Sequence, residues 1–256
     1  MKCLIVSDLH YRLNHFDWVL NESKNFDLCI IAGDMLDVAS IASPKAQITV
    51  VTKYLSAINE NTNLIVCSGN HDLDARNTDG EKYSRWVFKS NELGIPADIS
   101  NVTLNGCMFT ILPWWDGPVL LKDIEEKIAK DSSLDKKKWV WIYHTPTDNS
   151  QTSWDGKKFN GDENLNTWIE KYRPDMVISG HCHLSPFKND GSWVDQLKST
   201  WVFNPGMQIG PFPTHIILET ELNKAAWFSL EGGEEIDLSI ELTRPVSELR
   251  QMPDWI

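Results

Sequence analysis

The sequence lacks the features of a membrane protein and of a disulfide-stapled protein. Its five cysteines include no CxxC pair, which argues against a disulfide framework and against a thiolate zinc site. No apolar run approaches the roughly 18 uncharged residues that a membrane span needs. Met1 and Lys2 lead directly into the run Cys3–Val6, which is too short for a signal-peptide core and predicts a first strand. We therefore expect a cytoplasmic protein with reduced cysteines.

Positive charge is also scarce. Lysine and arginine number 24 against 36 aspartates and glutamates, which gives a formal net charge of −12. An acidic protein repels polyanions unless a local patch or a bound metal reverses the field, so non-specific nucleic-acid binding is disfavoured. A small phosphorylated substrate stays compatible with this charge, because divalent ions would neutralise much of the local site.

Short apolar runs alternate with amphipathic stretches, which is typical of α/β folds. Asn105-Gly106 between two such runs predicts a hairpin. The predicted strands are Lys2–Val6, Asp27–Ala32, Asn63–Cys67, Val102–Leu104, Cys107–Leu112, Trp139–Tyr143, Asp175–Ser179, Thr200–Phe203, His215–Leu218 and Ala225–Leu230. The predicted helices are His15–Ser23, Lys45–Glu60, Gly80–Leu93, Val119–Ala129 and Glu163–Tyr172. The acidic stretch 231–256 is interpreted as a C-terminal extension, and a final edge strand followed by a surface segment would fit it.

Residue types that bind metals follow five of the predicted strands. The segments are Ser7–His10, Gly33–Asp37, Gly69–Asp72, Tyr143–Pro146 and Gly180–His183, and they contain five of the seven histidines. In open α/β sheets, ligands bind at the carboxyl ends of the strands. A single Asp-x-His or Gly-Asp is usually a structural turn, but five such segments in one chain favour a metal site.

The spacing within these segments suggests how the side chains are aimed. Residues i and i+2 of an extended chain point to the same side, so Asp8 and His10 could reach one ion. By the same argument, His181 and His183 could share one site. Gly33 and the other glycines that precede the ligands would allow sharp turns.

The ordered set DxH, GDxxD, GNHD, His and GHxH resembles the calcineurin-like metallophosphoesterase superfamily. The motifs run from Asp8 to His183, and Asn204-Pro205-Gly206 resembles a further family segment, where Met207 replaces the usual serine. The resemblance implies an α/β sandwich of two stacked mixed β-sheets flanked by helices. It also implies a phosphoesterase domain over residues 1–230, with residues 231–256 packed on it.

The resemblance further implies two divalent transition-metal ions bound by seven residues. Asp8, His10 and His183 would bind the first ion, Asn70, His144 and His181 the second, and Asp34 would bridge both. Imidazole, carboxylate and amide ligands without thiolate suit Mn²⁺, our preferred ion, or Fe or Zn²⁺.

Two residues beside the ligands are implied to be catalytic. His71 would face the leaving group without binding metal, and Asp37 would orient and charge its imidazole. A hydroxide that bridges the two ions would attack phosphorus.

These features predict a phosphodiesterase that acts on a small or nucleotide-like phosphoester. The alternatives are a DNA exonuclease or endonuclease of the same superfamily, a protein phosphatase and a non-catalytic scaffold. The complete ligand set argues against the scaffold.

Two aromatic features near the motifs have open interpretations. Trp114 and Trp115 follow a predicted strand and could stack a base or simply pack the wall of the site. Trp154 lies in the polar loop 147–161 after His144 and could contact substrate, although the chain has 12 tryptophans.

Overall fold

The computed structural model describes residues 1–256, which form strands and helices in alternation. The strands are β1 (Lys2–Val6), β2 (Leu28–Ala32), β3 (Asn63–Cys67), β4 (Ala75–Arg76), β5 (Lys82–Tyr83), β6 (Ser100–Leu104), β7 (Cys107–Ile111), β8 (Lys138–Ile142), β9 (Met176–Ile178), β10 (Val194–Leu197), β11 (Thr200–Phe203), β12 (His215–Glu219), β13 (Lys224–Ser229), β14 (Gly232–Asp237) and β15 (Ser247–Glu248). The helices are α1 (Leu13–Glu22), α2 (Pro44–Asn61), α3 (Arg85–Phe88), α4 (Pro118–Ser132) and α5 (Glu163–Tyr172). None of these helices is long and apolar enough to cross a membrane.

Two mixed sheets form the centre of the fold. The seven-stranded sheet has the order β15-β14-β13-β12-β1-β2-β3, and the six-stranded sheet has the order β10-β11-β9-β8-β7-β6. β1, β2 and β3 are parallel neighbours, as are β7, β8 and β9. The carboxyl ends of the strands that carry the motifs are therefore adjacent within each sheet.

Alternation along each strand builds the layers of the sandwich. Ile5 of β1 packs between the two sheets in the same core as Phe109. The preceding residue, Leu4, points to the opposite face of the sheet, where it packs with Phe16 beneath the helices of the seven-stranded sheet. Trp141 is buried on the outer face of the other sheet, in the core that includes residues of α4 and α5. Full burial of one such side chain contributes roughly 1.5–3 kcal/mol.

The predicted sandwich of two stacked mixed sheets flanked by helices is confirmed. The predicted hairpin also forms, since β6 pairs antiparallel with β7 across Asn105 and Gly106, which have φ of 49° and 80°. Positive φ at both central residues is the requirement of a type I′ turn.

The helix predicted over Gly80–Leu93 is wrong. This segment contains β5, the single-turn helix α3 and a 3₁₀ turn. Gly80 has φ +87°, which reverses the chain between β4 and β5. Glu81 then turns its carboxylate to the start of α4, where it accepts hydrogen bonds from the backbone N–H groups of Val119 and Leu120 (2.8 and 2.9 Å). These tertiary contacts override the helical periodicity of the sequence.

The strands that were not predicted, β4, β5, β10 and β15, are short. β14 pairs with β13 along its whole length, so residues 232–237 belong to the seven-stranded sheet. The sequence allowed a final strand within the acidic stretch 231–256, and β14 is such a strand, although β15 forms the edge. Glu234 of β14 is half-buried because its carboxylate accepts a hydrogen bond from the indole N–H of Trp193 (2.6 Å).

Candidate metal centre

The loops that follow β1, β2, β3, β8 and β9 meet at one place, and the backbone ties them together. The N–H of Asp8 donates to the carbonyl of Gly33 (3.0 Å), and the N–H of Gly180 donates to the carbonyl of His144 (2.8 Å). All seven residues predicted as ligands lie at this junction. The parallel arrangement of the strands therefore brings together side chains up to 175 positions apart in the sequence, from Asp8 to His183.

The backbone at four predicted ligands is not extended, so the premise of our i, i+2 argument is wrong, although Asp8 and His10 do lie in one cluster. Asp8, His10, Asp34 and His181 have φ of 55°, 43°, 52° and 67°, which is the left-handed region. Non-glycine residues in that region cost about 1–3 kcal/mol each and cluster at functional sites. As a result, the side chains of His181 and His183 diverge into different clusters instead of sharing one.

Three glycines make room for these side chains. Only Gly33 needs a positive φ (+90°), and a Cβ there would meet the imidazole of His144, with Cγ at 2.7 Å. A Cβ at Gly69 would collide with the Asp34 carboxylate and lie 2.6 Å from the Asp34 nitrogen. A Cβ at Gly180 would lie 2.6 Å from Oδ2 of Asp8. At Gly69 and Gly180, close packing against a carboxylate is therefore what requires glycine.

The side chains form two clusters that share Asp34. Asp8, His10, Asp34 and His183 offer ligand atoms within 4.8 Å of one another, and so do Asp34, His144 and His181. Asn70 joins the second cluster, because its Oδ1 lies 3.0 Å from Nδ1 of His181.

The carboxylate of Asp34 uses one oxygen to anchor itself and the other to face both clusters. Oδ1 accepts the backbone N–H of His71 at 2.8 Å, which fixes the group. Oδ2 faces the imidazoles, lying 3.3 Å from Nε2 of His144 and 3.8 Å from Nε2 of His10.

The orientation of His144 tests whether a cation fits this place. Its Nδ1 lies 2.7 Å from the carbonyl oxygen of Ala32 and donates its hydrogen there. Nε2 is buried and forms no hydrogen bond, although Oδ2 of Asp34 is only 3.3 Å away. In the neutral tautomer that the bond to Ala32 sets, the lone pair of Nε2 and the Asp34 oxygen face one point, as two ligands of a cation do. The residues present therefore fit a metal.

Electrostatics at the centre agrees with this fit. Burial opposes the charged form of His144, but Asp34 and Asp8 raise the pKa of its imidazole to about 10. Burial also opposes ionisation of Asp34, yet the neighbouring His144 holds the pKa of this carboxyl well below its ordinary value. Burial, aided by the charge of His144, lowers the pKa of His181 to about 4. Without an added cation, the protein balances two buried carboxylates with imidazole protons, and metal binding would release these protons.

His71 lies beside the clusters and keeps one ring nitrogen toward them. Its Nε2 is 4.0 Å from Oδ2 of Asp34, and its ring centroid is 4.6 Å from that of His10. The backbone N–H of Val38 points at Nδ1 at 3.4 Å. Nδ1 is thus the acceptor, which leaves the hydrogen on the site-facing Nε2.

Asp37, which was expected to orient the imidazole of His71, makes no hydrogen bond to it. The Asp37 carboxylate accepts the backbone N–H of Ala39 at 2.8 Å, because the loop turns back on itself there. A carboxylate oxygen of Asp37 still lies within 4.8 Å of a ring nitrogen of His71. The orienting contact to the imidazole comes from the Val38 backbone instead.

Sequence reasoning gave no role to Asp72, the last residue of the GNHD segment. Its buried carboxylate accepts hydrogen bonds from the backbone N–H groups of Met35 and Leu36 (both 3.0 Å) and of Gly69 (2.9 Å). Asp72 therefore joins the loop that carries Asp34 to the loop that carries Asn70. The sequence signal that could have pointed to Asp72 was its position as the last residue of the GNHD motif.

The two aromatic features have different surroundings in the structure. The ring of Trp114 lies 5.4 Å from His181 and 6.0 Å from His144, so it forms a wall of the centre. Trp154 packs on Phe159 at 4.9 Å, and its indole N–H donates to the carbonyl of Asn189.

Comparisons with known proteins point to one family. A nucleotide pyrophosphatase/phosphodiesterase from Hordeum vulgare is 27% identical over 196 residues, which is 67% of this chain and 51% of that protein. The chain therefore spans about half the length of this curated relative.

Solved structures share the fold at low identity. The protein TT1561 of Thermus thermophilus has a TM-score of 0.59 at 12% identity, over 93% of this chain and 98% of the other. A dimetal phosphatase from Danio rerio has a TM-score of 0.57 at 10% identity, over 89% and 95% of the two chains. Residues 1–185, most of the chain, match the family described as calcineurin-like phosphoesterases. The family suggested by the motifs is thus confirmed, and the chain belongs to the calcineurin-like phosphoesterase family.

Proposed function

We propose that this protein hydrolyses phosphate esters with the help of two divalent transition-metal ions. The observation that carries the proposal is the buried, unpartnered Nε2 of His144, which faces Asp34 where the two clusters meet. Asp8, His10 and His183 are assigned to the first ion, and Asn70, His144 and His181 to the second. Asp34 is assigned to both ions, because it is the residue that the two clusters share.

The ligand set indicates which ions would bind. It contains imidazole, carboxylate and amide groups and no thiolate, a combination that suits Mn²⁺, Fe or Zn²⁺. Bound there, such a pair would supply Lewis acidity toward a phosphoryl oxygen and activation of the attacking water.

The remaining chemistry belongs to side chains of this protein. Asp34 holds the two halves of the site in register through its bond to the His71 backbone. The imidazole of His71, with its hydrogen on Nε2, can donate to the leaving oxygen. We propose His71 as the catalytic group and Asp37 as a carboxylate near it, without a hydrogen bond between the two.

The substrate class follows from charge. With a net charge of −12, a small phosphodiester or nucleotide-like ester is a better substrate than long DNA. The name of the barley relative, a nucleotide pyrophosphatase/phosphodiesterase, supports this class. We expect weak binding of duplex DNA with little dependence on salt. Tight binding with a steep salt slope, measured with labelled oligonucleotides, would favour a nuclease instead.

The experiment loads the purified protein with Mn²⁺ and measures hydrolysis of bis-p-nitrophenyl phosphate and p-nitrophenyl phosphate, with metal content determined on the same samples. We expect about two ions per chain and faster turnover of the diester. Asp34→Asn should weaken both ions and abolish turnover, whereas Asp8→Asn should spare the second ion more. A wild-type protein that binds two ions and hydrolyses neither ester would contradict the proposal.

A further inference from the structure

A cavity of about 530 Å³ opens directly beside the metal centre. Its inner end is His181, which the proposed function assigns to the second ion. Its walls include Trp114, Trp115 and Thr145, and its rim is the segment 160–164 at the start of α5. A substituent on a phosphate held at the centre would therefore enter this cavity on the side of His181.

One wall of the cavity is the partly exposed ring of Trp114. Hydrogen bonds hold the backbone of Trp114 and the neighbouring side chain of Trp115. The backbone N–H of Trp114 donates to Oγ of Ser68 at 3.0 Å, two residues before Asn70. The next side chain, Trp115, is locked by its indole N–H, which lies 2.8 Å from the Tyr143 hydroxyl and 3.2 Å from the Asp162 carboxylate. The backbone on both sides of the Trp114 ring is thus held in place, and the ring lies 5.4 Å from His181, within reach of the metal centre.

Two polar groups of the cavity are acceptors that are free to contact a ligand. Both oxygens of Asp162 are occupied, one by Asn164 and the other by Tyr143 and Trp115. The Glu163 carboxylate is exposed and has no partner in the protein. The amide of Asn160 uses its Nδ2 to donate to Asp155, which leaves Oδ1 free.

Charge restricts what this cavity can accept. No lysine or arginine lines it, while Asp162 and Glu163 do. A second phosphate or any other anion would be desolvated there beside carboxylates without a cation to pair with. An anionic substituent is therefore disfavoured, and the free acceptors and the Trp114 ring suit an uncharged group with hydrogen-bond donors and a flat apolar face.

We propose that this cavity binds the nucleoside part of a nucleotide ester, with the base stacked on Trp114. The assignment rests on the proposed function, which holds the phosphate at the metal centre. A base has the flat face that an aromatic side chain requires, and sugar hydroxyls and exocyclic amines supply donors to Glu163 and Asn160. The cavity volume suits a nucleoside far better than a small headgroup such as choline.

The test measures binding by calorimetry on the Mn²⁺-loaded protein and does not depend on turnover. The probes are AMP and ribose 5-phosphate, which differ only by the base. Stacking on one aromatic ring should make AMP bind about 5- to 150-fold more tightly than ribose 5-phosphate. Trp114→Ala should remove this preference and leave the affinity for ribose 5-phosphate unchanged. Trp114→Phe, which conserves an aromatic face, should retain part of the preference.

Trp154→Ala is the matched control, because Trp154 lies in the neighbouring loop and does not line the cavity. It should keep the full preference for AMP. Equal affinities for AMP and ribose 5-phosphate in the wild type would overturn the proposal, as would a preference that survives Trp114→Ala. Tighter binding of phosphocholine than of AMP would also refute it. Hydrolysis of bis-p-nitrophenyl phosphate by the same samples reports separately on the proposed function, so the two can fail independently.

Discussion

Gly69→Ala is the substitution that should damage the metal centre most for the smallest chemical change. An added Cβ would collide with the Asp34 carboxylate and lie 2.6 Å from the Asp34 nitrogen, so both side chain and backbone of Asp34 must move. Overpacking costs about 1–3 kcal/mol, and loss of the charge-assisted bond from the His71 N–H adds about 1.5–3 kcal/mol. We expect the free energy of unfolding to fall by roughly 2.5–6 kcal/mol.

The metal sites should respond in a pattern that a general loss of stability cannot imitate. Because the two clusters share Asp34, Gly69→Ala should weaken binding of both ions. Gly180→Ala places its Cβ 2.6 Å from Oδ2 of Asp8 and should weaken chiefly the first ion. Calorimetric titration with Mn²⁺ gives both affinities, and urea denaturation of the metal-free proteins gives the stabilities.

Gly80→Ala is the control, because its φ is +87° and no atom lies within 4 Å of the added Cβ. It should cost about 1–2 kcal/mol of backbone strain and leave both ions bound. If Gly69→Ala also kept both affinities, Asp34 would not be the shared ligand.

Two further predictions concern catalysis and pH. His71→Ala should keep two metals and lose roughly 10²–10⁴-fold in turnover. The loss should be larger on an alkyl ester than on a p-nitrophenyl ester, because p-nitrophenolate leaves without a proton. Equal losses in kcat/KM on the two esters would indicate a phosphate-binding role for His71. Asp98 is buried, which raises its pKa to about 7 from 3.8, so the native protein keeps a proton that the unfolded chain releases. The free energy of unfolding should therefore fall by at most roughly 4 kcal/mol as pH rises through that window, and urea denaturation of Asp98→Asn should show the dependence removed.

The parts of the fold that follow from local patterning were predictable. β1, β3, β11 and α5 have the predicted bounds, because apolar runs of this length and a helix stop before Pro174 leave few alternatives. The segment Gly80–Leu93 was not predictable from its own residues. Its conformation depends on the carboxylate of Glu81 at the start of α4, a contact between parts of the chain about 38 residues apart.

In the candidate site, too, some features could be predicted from the sequence and others could not. The seven proposed ligands were inferred from the resemblance of the ordered motifs to a known family, and the strand topology brings them together. The separation of His181 from His183 was not foreseen, because His181 has left-handed φ where extended backbone was assumed. The partner of His71 was also missed, since a backbone N–H, that of Val38, carries no sequence signature.

The unfavourable features of the centre have a common physical explanation. Asp8 and Asp34 are buried side by side, four residues adopt left-handed backbone, and Nε2 of His144 lacks a partner. Each of these costs free energy in the chain alone, and left-handed backbone costs about 1–3 kcal/mol per residue. No lysine or arginine pairs with either carboxylate, so in the chain alone only the protons of neighbouring imidazoles balance them. Bound cations would offset all of these costs together, since they neutralise both carboxylates and use the free lone pair of His144. The strain therefore lies where ion binding can offset it, as expected of residues placed for chemistry rather than for stability.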